Sequence, residues 1–128
     1  MRRLQPPGWL EPRGYANGVE ASGRLVFVAG QIGWDETGTF VSGALAAQVE
    51  QALRNVVAVL AEAGAGPEHV VRLTWYVTSR NEYLETIKEV GKAYRSVMGR
   101  TFPPMSVVEV SALMEAAAKV EIEATAVV

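Results

Sequence analysis

Two stretches decide the fold, Thr101-Phe102-Pro103-Pro104-Met105-Ser106-Val107-Val108-Glu109-Val110 and Lys119-Val120-Glu121-Ile122-Glu123-Ala124-Thr125-Ala126-Val127-Val128. Both are rich in β-branched residues and alternate in polarity, which predicts β-strands. Because successive side chains of a strand point to opposite faces, the second stretch has one apolar face and one face that carries glutamates. The apolar face consists of Val120, Ile122, Ala124 and Ala126. The role of the glutamate face is the central question about function.

Length and composition predict a single domain. The chain has 128 residues, 49% of them hydrophobic, which is enough for one core and too little for two. Three of the six prolines fall in residues 1–14, which are expected to form an irregular lead-in. No internal repeat or low-complexity stretch marks a boundary, so residues 1–128 are predicted to fold as one unit.

Charge and missing residue types disfavour several functions. With 12 Lys and Arg against 14 Asp and Glu, the net charge of −2 provides no basic field for nucleic acid or anionic membranes. The chain has no cysteine and one histidine, His69, so neither a metal site nor a cofactor is predicted. No stretch approaches the roughly 20 apolar residues of a membrane span, and a cytoplasmic protein is expected.

The spacing of apolar residues predicts an α+β fold. Residues 24–32 and 70–78 are predicted to form strands with apolar side chains on both faces. Residues 42–63 are predicted to form a helix that is capped by Ser42. A second helix is predicted from a capping box at Ser79 to the end of its apolar stripe at Met98. With the C-terminal strands, this gives a mixed sheet of five to six strands with two helices on one face.

The predicted sheet lacks cover on one face. Two helices cannot cover both faces of such a sheet, yet several strands are apolar on both sides. A large exposed apolar face is typical of a subunit interface. The uncovered face is therefore predicted to meet other copies of the chain.

Four blocks in order indicate a family. They are Gly14-Tyr15-Ala16-Asn17-Gly18-Val19, Leu25-Val26-Phe27-Val28-Ala29-Gly30-Gln31-Ile32, Gln51-Ala52-Leu53-Arg54-Asn55-Val56 and the C-terminal pair quoted above. Together they resemble the RidA (YjgF) family of small trimeric enamine/imine deaminases over nearly the whole chain. The resemblance implies a chorismate mutase-like fold and a homotrimer whose sheets form a central barrel. It also implies ligand clefts between neighbouring subunits.

One position departs from the family pattern. The family's deaminases read Pro-Ala-Arg-Ser where this chain reads Pro103-Pro104-Met105-Ser106. In the family, that arginine holds the substrate carboxylate through two parallel charge-assisted hydrogen bonds, which methionine cannot make. A cleft walled by Met105, with Trp34 and Trp75, is expected to prefer a less charged or more apolar ligand. A vestigial cleft in which Met105 merely packs is the alternative.

The resemblance assigns five further residues to the cleft. Glu121 corresponds to a glutamate thought to position the hydrolytic water, and a carboxylate partly removed from water can accept and return protons near neutral pH. Tyr15 and Gly30 correspond to cleft residues, and Ser106 and Val107 to positions whose main-chain groups face the ligand. The structural alternatives are an ion pair for Glu121, packing for Tyr15 and a strand bulge for Gly30.

A cation elsewhere in the chain could replace the missing guanidinium. Arg72 and Lys88 are the two candidates. Residues of both types are more often solvated or ion-paired, so neither is preferred at the sequence level.

Three functions are consistent with these features. The first is a RidA-like hydrolase, an enamine/imine deaminase that acts on a small C–N metabolite in an intersubunit cleft and not on generic 2-imino acids. The second is a trimer that binds a small molecule without turnover. The third is an RNA-cleaving protein, which the charge balance disfavours.

Overall fold

The secondary structure follows the predicted order of elements, and the computed structural model describes residues 1–128. The strands are β1 (Arg2–Leu4), β2 (Gly18–Glu20), β3 (Leu25–Ile32), β4 (Val70–Val77), β5 (Met105–Glu109) and β6 (Val120–Val127). The helices are α1 (Leu45–Glu62), α2 (Arg80–Glu85) and α3 (Ile87–Met98). None of the helices is long and apolar enough to cross a membrane.

Four of the six strands form the central sheet, in the order β3-β6-β4-β5. β6 runs antiparallel to both of its neighbours, whereas β4 and β5 are parallel, so the sheet is mixed as predicted. A parallel pair needs a crossover, which α2 and α3 provide. β1 lies within the lead-in that was expected to be irregular, and it pairs with β2 in a separate two-stranded sheet.

The core lies between the helices and one face of the sheet. On β6, Val120, Ile122 and Ala126 are 0% exposed, which confirms the apolar face of this strand. The helix stripe packed against the sheet consists of Leu45, Val49, Ala52, Leu53, Val56 and Leu60, all of them buried. The apolar spacing that predicts this helix therefore marks its buried face, although the apolar side chain of Val59 is 41% exposed.

The first helix starts later than predicted because Ser42 bonds to the turn before it. Its Oγ accepts the N–H of Ala44 at 3.0 Å, and the helix begins at Leu45 without a side-chain cap. The buried side chain of Gln48 holds this entry in place. Its Nε2 donates to the carbonyls of Ser42 and Ala117, both at 3.0 Å, and its Oε1 accepts the N–H of Lys119 at 2.8 Å. Gln48 thereby ties the start of α1 to the segment that leads into β6.

The second predicted helix is two helices. Ser79 caps α2 as expected, since its Oγ accepts the N–H of Glu82 at 3.1 Å. The helix is interrupted at Thr86, whose backbone lies at φ −110° and ψ 21°. The hydroxyl of Thr86 donates to the carbonyl of Glu82 at 2.7 Å, a back-bond that competes with helix continuation. The carboxylate of Glu82 pairs with the Lys119 ammonium at 2.7 Å.

The sheet face opposite the helices is uncovered in the protomer. We call it the open face, and its side chains include Leu25, Phe27, Arg72, Thr74, Tyr76, Glu121, Glu123 and Thr125. Phe27 is 71% exposed and Leu25 is 59% exposed, so β3 is apolar on both faces as predicted. The same prediction is wrong for β4, whose outward residues from Arg72 onward are mostly polar.

Candidate functional site

A cavity of about 260 Å³ lies where the chain enters β5, and we call it the edge cavity. It brings together three predicted site residues, Tyr15, Met105 and Ser106, with Asn17 and Arg72. Two backbone hydrogen bonds build it: the N–H of Ala16 donates to the carbonyl of Pro103 at 3.3 Å, and the N–H of Leu73 donates to that of Pro104 at 3.1 Å. The Tyr15 loop is thus attached to the Pro103-Pro104 turn.

The edge cavity is bordered by unpaired backbone. β5 is the last strand of the sheet, so the groups along one side of it have no partner strand. Ser106 lines the edge cavity, in register with Thr74 of β4. A ligand at this edge can hydrogen-bond to main-chain groups of β5 whatever side chains are present, which is the role expected of Ser106 and Val107.

A second cavity of about 370 Å³ lies on the helix side of β5, and we call it the aromatic pocket. Tyr15 and Met105 border both cavities, and Val107 lines this one. Its walls are otherwise formed by Arg13, Gly14, Trp75, Tyr83, Ile87, Val90, Gly91, Tyr94, Arg95 and Phe102. The sequence indicated Trp75 as a wall residue, whereas Tyr83, Ile87 and Tyr94 belong to the apolar stripe of the second predicted helix. Their spacing is the same for a buried stripe and for a pocket lining.

Glu121 lies against Gly30 on the open face. A Cβ built on Gly30 would lie 2.7 Å from both Cγ and Cδ of Glu121, so the glutamate side chain occupies the space that any larger residue at position 30 would need. Gly30 also lies within a register shift between β3 and β6, which is the strand bulge considered as its structural alternative. The bare backbone of Gly30 therefore provides room for the predicted catalytic carboxylate.

The neighbouring glutamate has a defined partner. The hydroxyl of Tyr76 donates to Oε1 of Glu123 at 2.9 Å. This hydrogen bond, with smaller contributions from burial and from the charges of Glu123 and Glu121, raises the pKa of Tyr76. The phenol therefore remains protonated and a donor to Glu123 at neutral pH. Glu121 has no side-chain hydrogen bond or ion pair within the protomer.

One protomer does not bring Met105 and Glu121 together. Met105 packs against the core on the helix side, whereas Glu121 lies on the open face. Strand spacings of about 4.8 Å and rises of about 3.3 Å per residue put their Cα atoms roughly 14 Å apart in the sheet. A site that uses both residues needs the edge of one protomer and the open face of another.

Arg72 and Lys88, the two residues that could replace the missing guanidinium, lie in different parts of the structure. Arg72 lines the edge cavity and also a cavity of about 440 Å³ on the open face, and it takes part in no ion pair. Lys88 is exposed on α3 and lines neither the edge cavity nor the aromatic pocket.

Trp34, expected in the cleft wall, lies outside both cavities, beside Gln31 and Asn55. No group of three or more His, Asp or Glu side chains is arranged to hold a metal ion.

Comparison with known sequences identifies relatives over nearly the whole chain. The profile of the family described as Endoribonuclease L-PSP matches residues 10–128. A human 2-iminobutanoate/2-iminopropanoate deaminase is 34% identical over 122 residues, which are 94% of this chain and 83% of the human protein. Protein DfrA of Myxococcus xanthus is 36% identical over 124 residues, which are 96% of this chain and 90% of its own length.

Solved structures of Rid-family proteins also match this chain over nearly its whole length. The Rid-family protein YyfB of Yersinia pestis superposes with a TM-score of 0.82 at 35% identity, covering 99% of this chain and 98% of its own. TdcF of Escherichia coli, solved with bound serine, superposes with a TM-score of 0.71 at 31% identity, covering 100% and 99%. This chain belongs to the RidA (YjgF) family of α+β proteins.

The contact between Gly30 and Glu121 is testable by a double-mutant cycle. Gly30→Ala is expected to displace the Glu121 side chain and to lower the free energy of unfolding by about 1–2 kcal/mol. In a Glu121→Ala background, most of that cost is expected to disappear because the clashing atoms are gone. Urea unfolding of the four proteins measures the coupling. Gly43→Ala is the control, since a Cβ there meets no atom within 4 Å. An equal cost of Gly30→Ala in both backgrounds would refute the contact.

Proposed function

We propose that this protein is a RidA-like hydrolase that deaminates a small enamine or imine in a cleft between subunits. Two observations support the proposal: the family relationship, which includes relatives named 2-iminobutanoate/2-iminopropanoate deaminase, and the arrangement of the predicted site. The second carries more weight, because Tyr15, Met105 and Ser106 line one cavity while Glu121 lies unpaired on a face that the protomer leaves uncovered.

The proposed assembly is a homotrimer with the open faces turned inward. A side chain such as Phe27, 71% exposed beside Leu25, is stabilised when it is removed from water. A ring in which the open face of one protomer meets the β5 edge of the next also places Glu121 near a neighbour's edge cavity. That arrangement explains why β3 exposes apolar side chains in the protomer. It also explains why Glu121 and Met105 lie far apart within one chain.

The assembly can be tested by comparing two exposed positions. Sedimentation equilibrium at micromolar concentration is expected to give the mass of three chains. Phe27→Lys is expected to shift the protein towards monomer, because it places a charge in the interface. Leu84→Lys is the control, since Leu84 is 52% exposed on α2, away from the open face. A wild-type monomer would contradict the trimer, and equal effects of both substitutions would contradict an interface on the open face.

The proposed reaction needs few groups. Water adds to the imine carbon, the electron pair of the C=N bond moves to nitrogen, and the nitrogen takes up a proton. The resulting carbinolamine then releases ammonia and leaves a carbonyl compound. Glu121 is proposed to accept the proton from water and to return it to nitrogen, a general acid–base role that a carboxylate at hydrogen-bonding distance can perform. Main-chain groups of β5 and the Tyr15 hydroxyl are proposed to orient the substrate.

The substrate is proposed to be less charged or more apolar than a 2-imino acid. At position 105, the guanidinium implied by the resemblance is replaced by a thioether that packs against the core. Methionine provides an adaptable apolar wall but no charge-assisted hydrogen bond. A non-catalytic binding protein would share these features and differ in having no turnover. RNA cleavage, although the family description names an endoribonuclease, is not favoured by a net charge of −2.

Met105→Arg tests the substrate assignment. It is expected to raise the rate of 2-iminopropanoate deamination about a hundredfold, since a bidentate carboxylate contact is worth on the order of 3 kcal/mol. The rate of ammonia release is the measurement, and Met114→Arg, at a 96% exposed position, is the control. If the wild-type protein already deaminates this anion rapidly and Arg72→Gln abolishes the activity, Arg72 holds the carboxylate and the assignment is wrong.

Glu121→Gln tests the chemistry. It keeps the size of the side chain and removes the proton acceptor, so turnover is expected to fall about a hundredfold while thermal stability changes little. Glu123→Gln is the matched control on the same face, since an amide oxygen can still accept the hydrogen bond from Tyr76. Loss of stability with turnover intact would give Glu121 a structural role. A trimer that binds ligand but shows no turnover would support the binding protein.

A further inference from the structure

Trp75, a wall residue of the aromatic pocket, carries a buried hydrogen-bond donor without an acceptor. Trp75 lines this pocket and is 2% exposed, and its Nε1 is the only buried side-chain nitrogen or oxygen in the chain that lacks a partner. An unpaired buried N–H destabilises the folded protein. Native proteins keep such a group where a ligand or water satisfies it. An acceptor on a ligand, or a bound water, would satisfy this indole N–H.

The walls of the pocket favour a flat aromatic ligand. Trp75 stacks on Tyr94 with ring centroids 6.1 Å apart, and Tyr94 stacks on Phe102 at 5.5 Å. Tyr83 meets Trp75 edge-on at 6.4 Å. The hydroxyl of Tyr94 already donates to the carbonyl of Thr101, so this tyrosine offers its ring and not its hydroxyl. A further ring can contact such aromatic side chains favourably in a stacked or edge-to-face arrangement.

The size and charge of the aromatic pocket restrict the size and the functional groups of the ligand. An apolar cavity of about 150 Å³ is enough for benzene, so a volume of about 370 Å³ admits a ring with a short substituent. Arg13 and Arg95 line the pocket, no acidic residue does, and neither arginine takes part in an ion pair. A carboxylate on the substituent would find these guanidinium groups unoccupied.

From these features we propose that the aromatic pocket binds a small aromatic carboxylate. The ring lies against Trp75, Tyr83 and Met105, and the carboxylate accepts hydrogen bonds from the Trp75 N–H and from Arg13 and Arg95. Met105 makes this pocket possible, because a thioether extends its apolar wall where an arginine would add a charge. The inference rests on the proposed function only in assigning the ligand to the cleft that Tyr15 and Met105 border.

Phenylacetate and 2-phenylethanol are the probes, and isothermal titration calorimetry on the full chain is the measurement. Phenylacetate is expected to bind saturably and at least tenfold more tightly than 2-phenylethanol. The double variant Arg13→Gln/Arg95→Gln is expected to remove that difference and to leave the binding of 2-phenylethanol unchanged. Trp75→Phe keeps an aromatic side chain and removes the donor, so it is expected to weaken phenylacetate binding about fivefold to tenfold.

Two further variants make the result independent of folding defects. A Cβ on Gly91 meets no atom closer than Nη1 of Arg95 at 3.2 Å, so Gly91→Leu is expected to fill the pocket and abolish binding while the helix remains intact. Trp34→Phe, outside the pocket, is the control and is expected to change nothing. No saturable phenylacetate binding at millimolar concentration, or binding that survives Gly91→Leu, would overturn the proposal. Phenylacetate binding does not require turnover. Failure of this proposal can therefore be distinguished from failure of the proposed function, which Glu121→Gln tests.

Discussion

The strict alternation of β6 is the constraint on which the rest of the structure depends. This strand pairs with β3 on one side and β4 on the other, so it can shift by one residue only if its whole buried face turns outward. Val120 and Ile122, both 0% exposed, hold the register by packing under the helices. Once that register is set, Glu121 and Glu123 must lie on the open face. The position of the candidate catalytic carboxylate is thus a consequence of core packing.

The β5 edge carries the other half of the candidate site. The α2–α3 crossover brings β5 back parallel to β4, and Leu73 pairs with Met105. The Tyr15 loop then attaches through the bond from Ala16 to the Pro103 carbonyl. Distant parts of the chain are therefore joined at one cavity by backbone hydrogen bonds.

The two glutamates on the open face, Glu121 and Glu123, differ in their hydrogen-bond partners. Glu123 accepts a hydrogen bond from Tyr76, whose raised pKa keeps the phenol protonated. Glu121, two residues away, lies over the bare backbone of Gly30 and has no polar partner in its own chain. The same strand face thus carries one carboxylate with a structural partner and one available for chemistry. Arg72 lies close enough to line cavities on this face and at the edge, where it contributes an unpaired positive charge.

Local pattern alone was enough to determine the main elements, because alternation and helical spacing act over a few residues. The apolar face of β6, the buried stripe of α1 and the Ser79 cap are all readable in this way. The family, and with it the candidate residues Tyr15, Gly30, Met105, Ser106, Val107 and Glu121, could likewise be inferred from blocks in order. The start of α1 could not be inferred in this way. Ser42 can either cap a helix or bond to the turn before it. The buried side chain of Gln48, which bonds to residues far apart in sequence, holds the second arrangement in place. Only the tertiary structure decided that Met105 and Glu121 lie on opposite faces, that Arg72 reaches the cavity and Lys88 does not, and that the aromatic residues around Trp75 line a pocket. Each of these depends on strand pairing and helix packing between distant segments, which residue spacing does not encode.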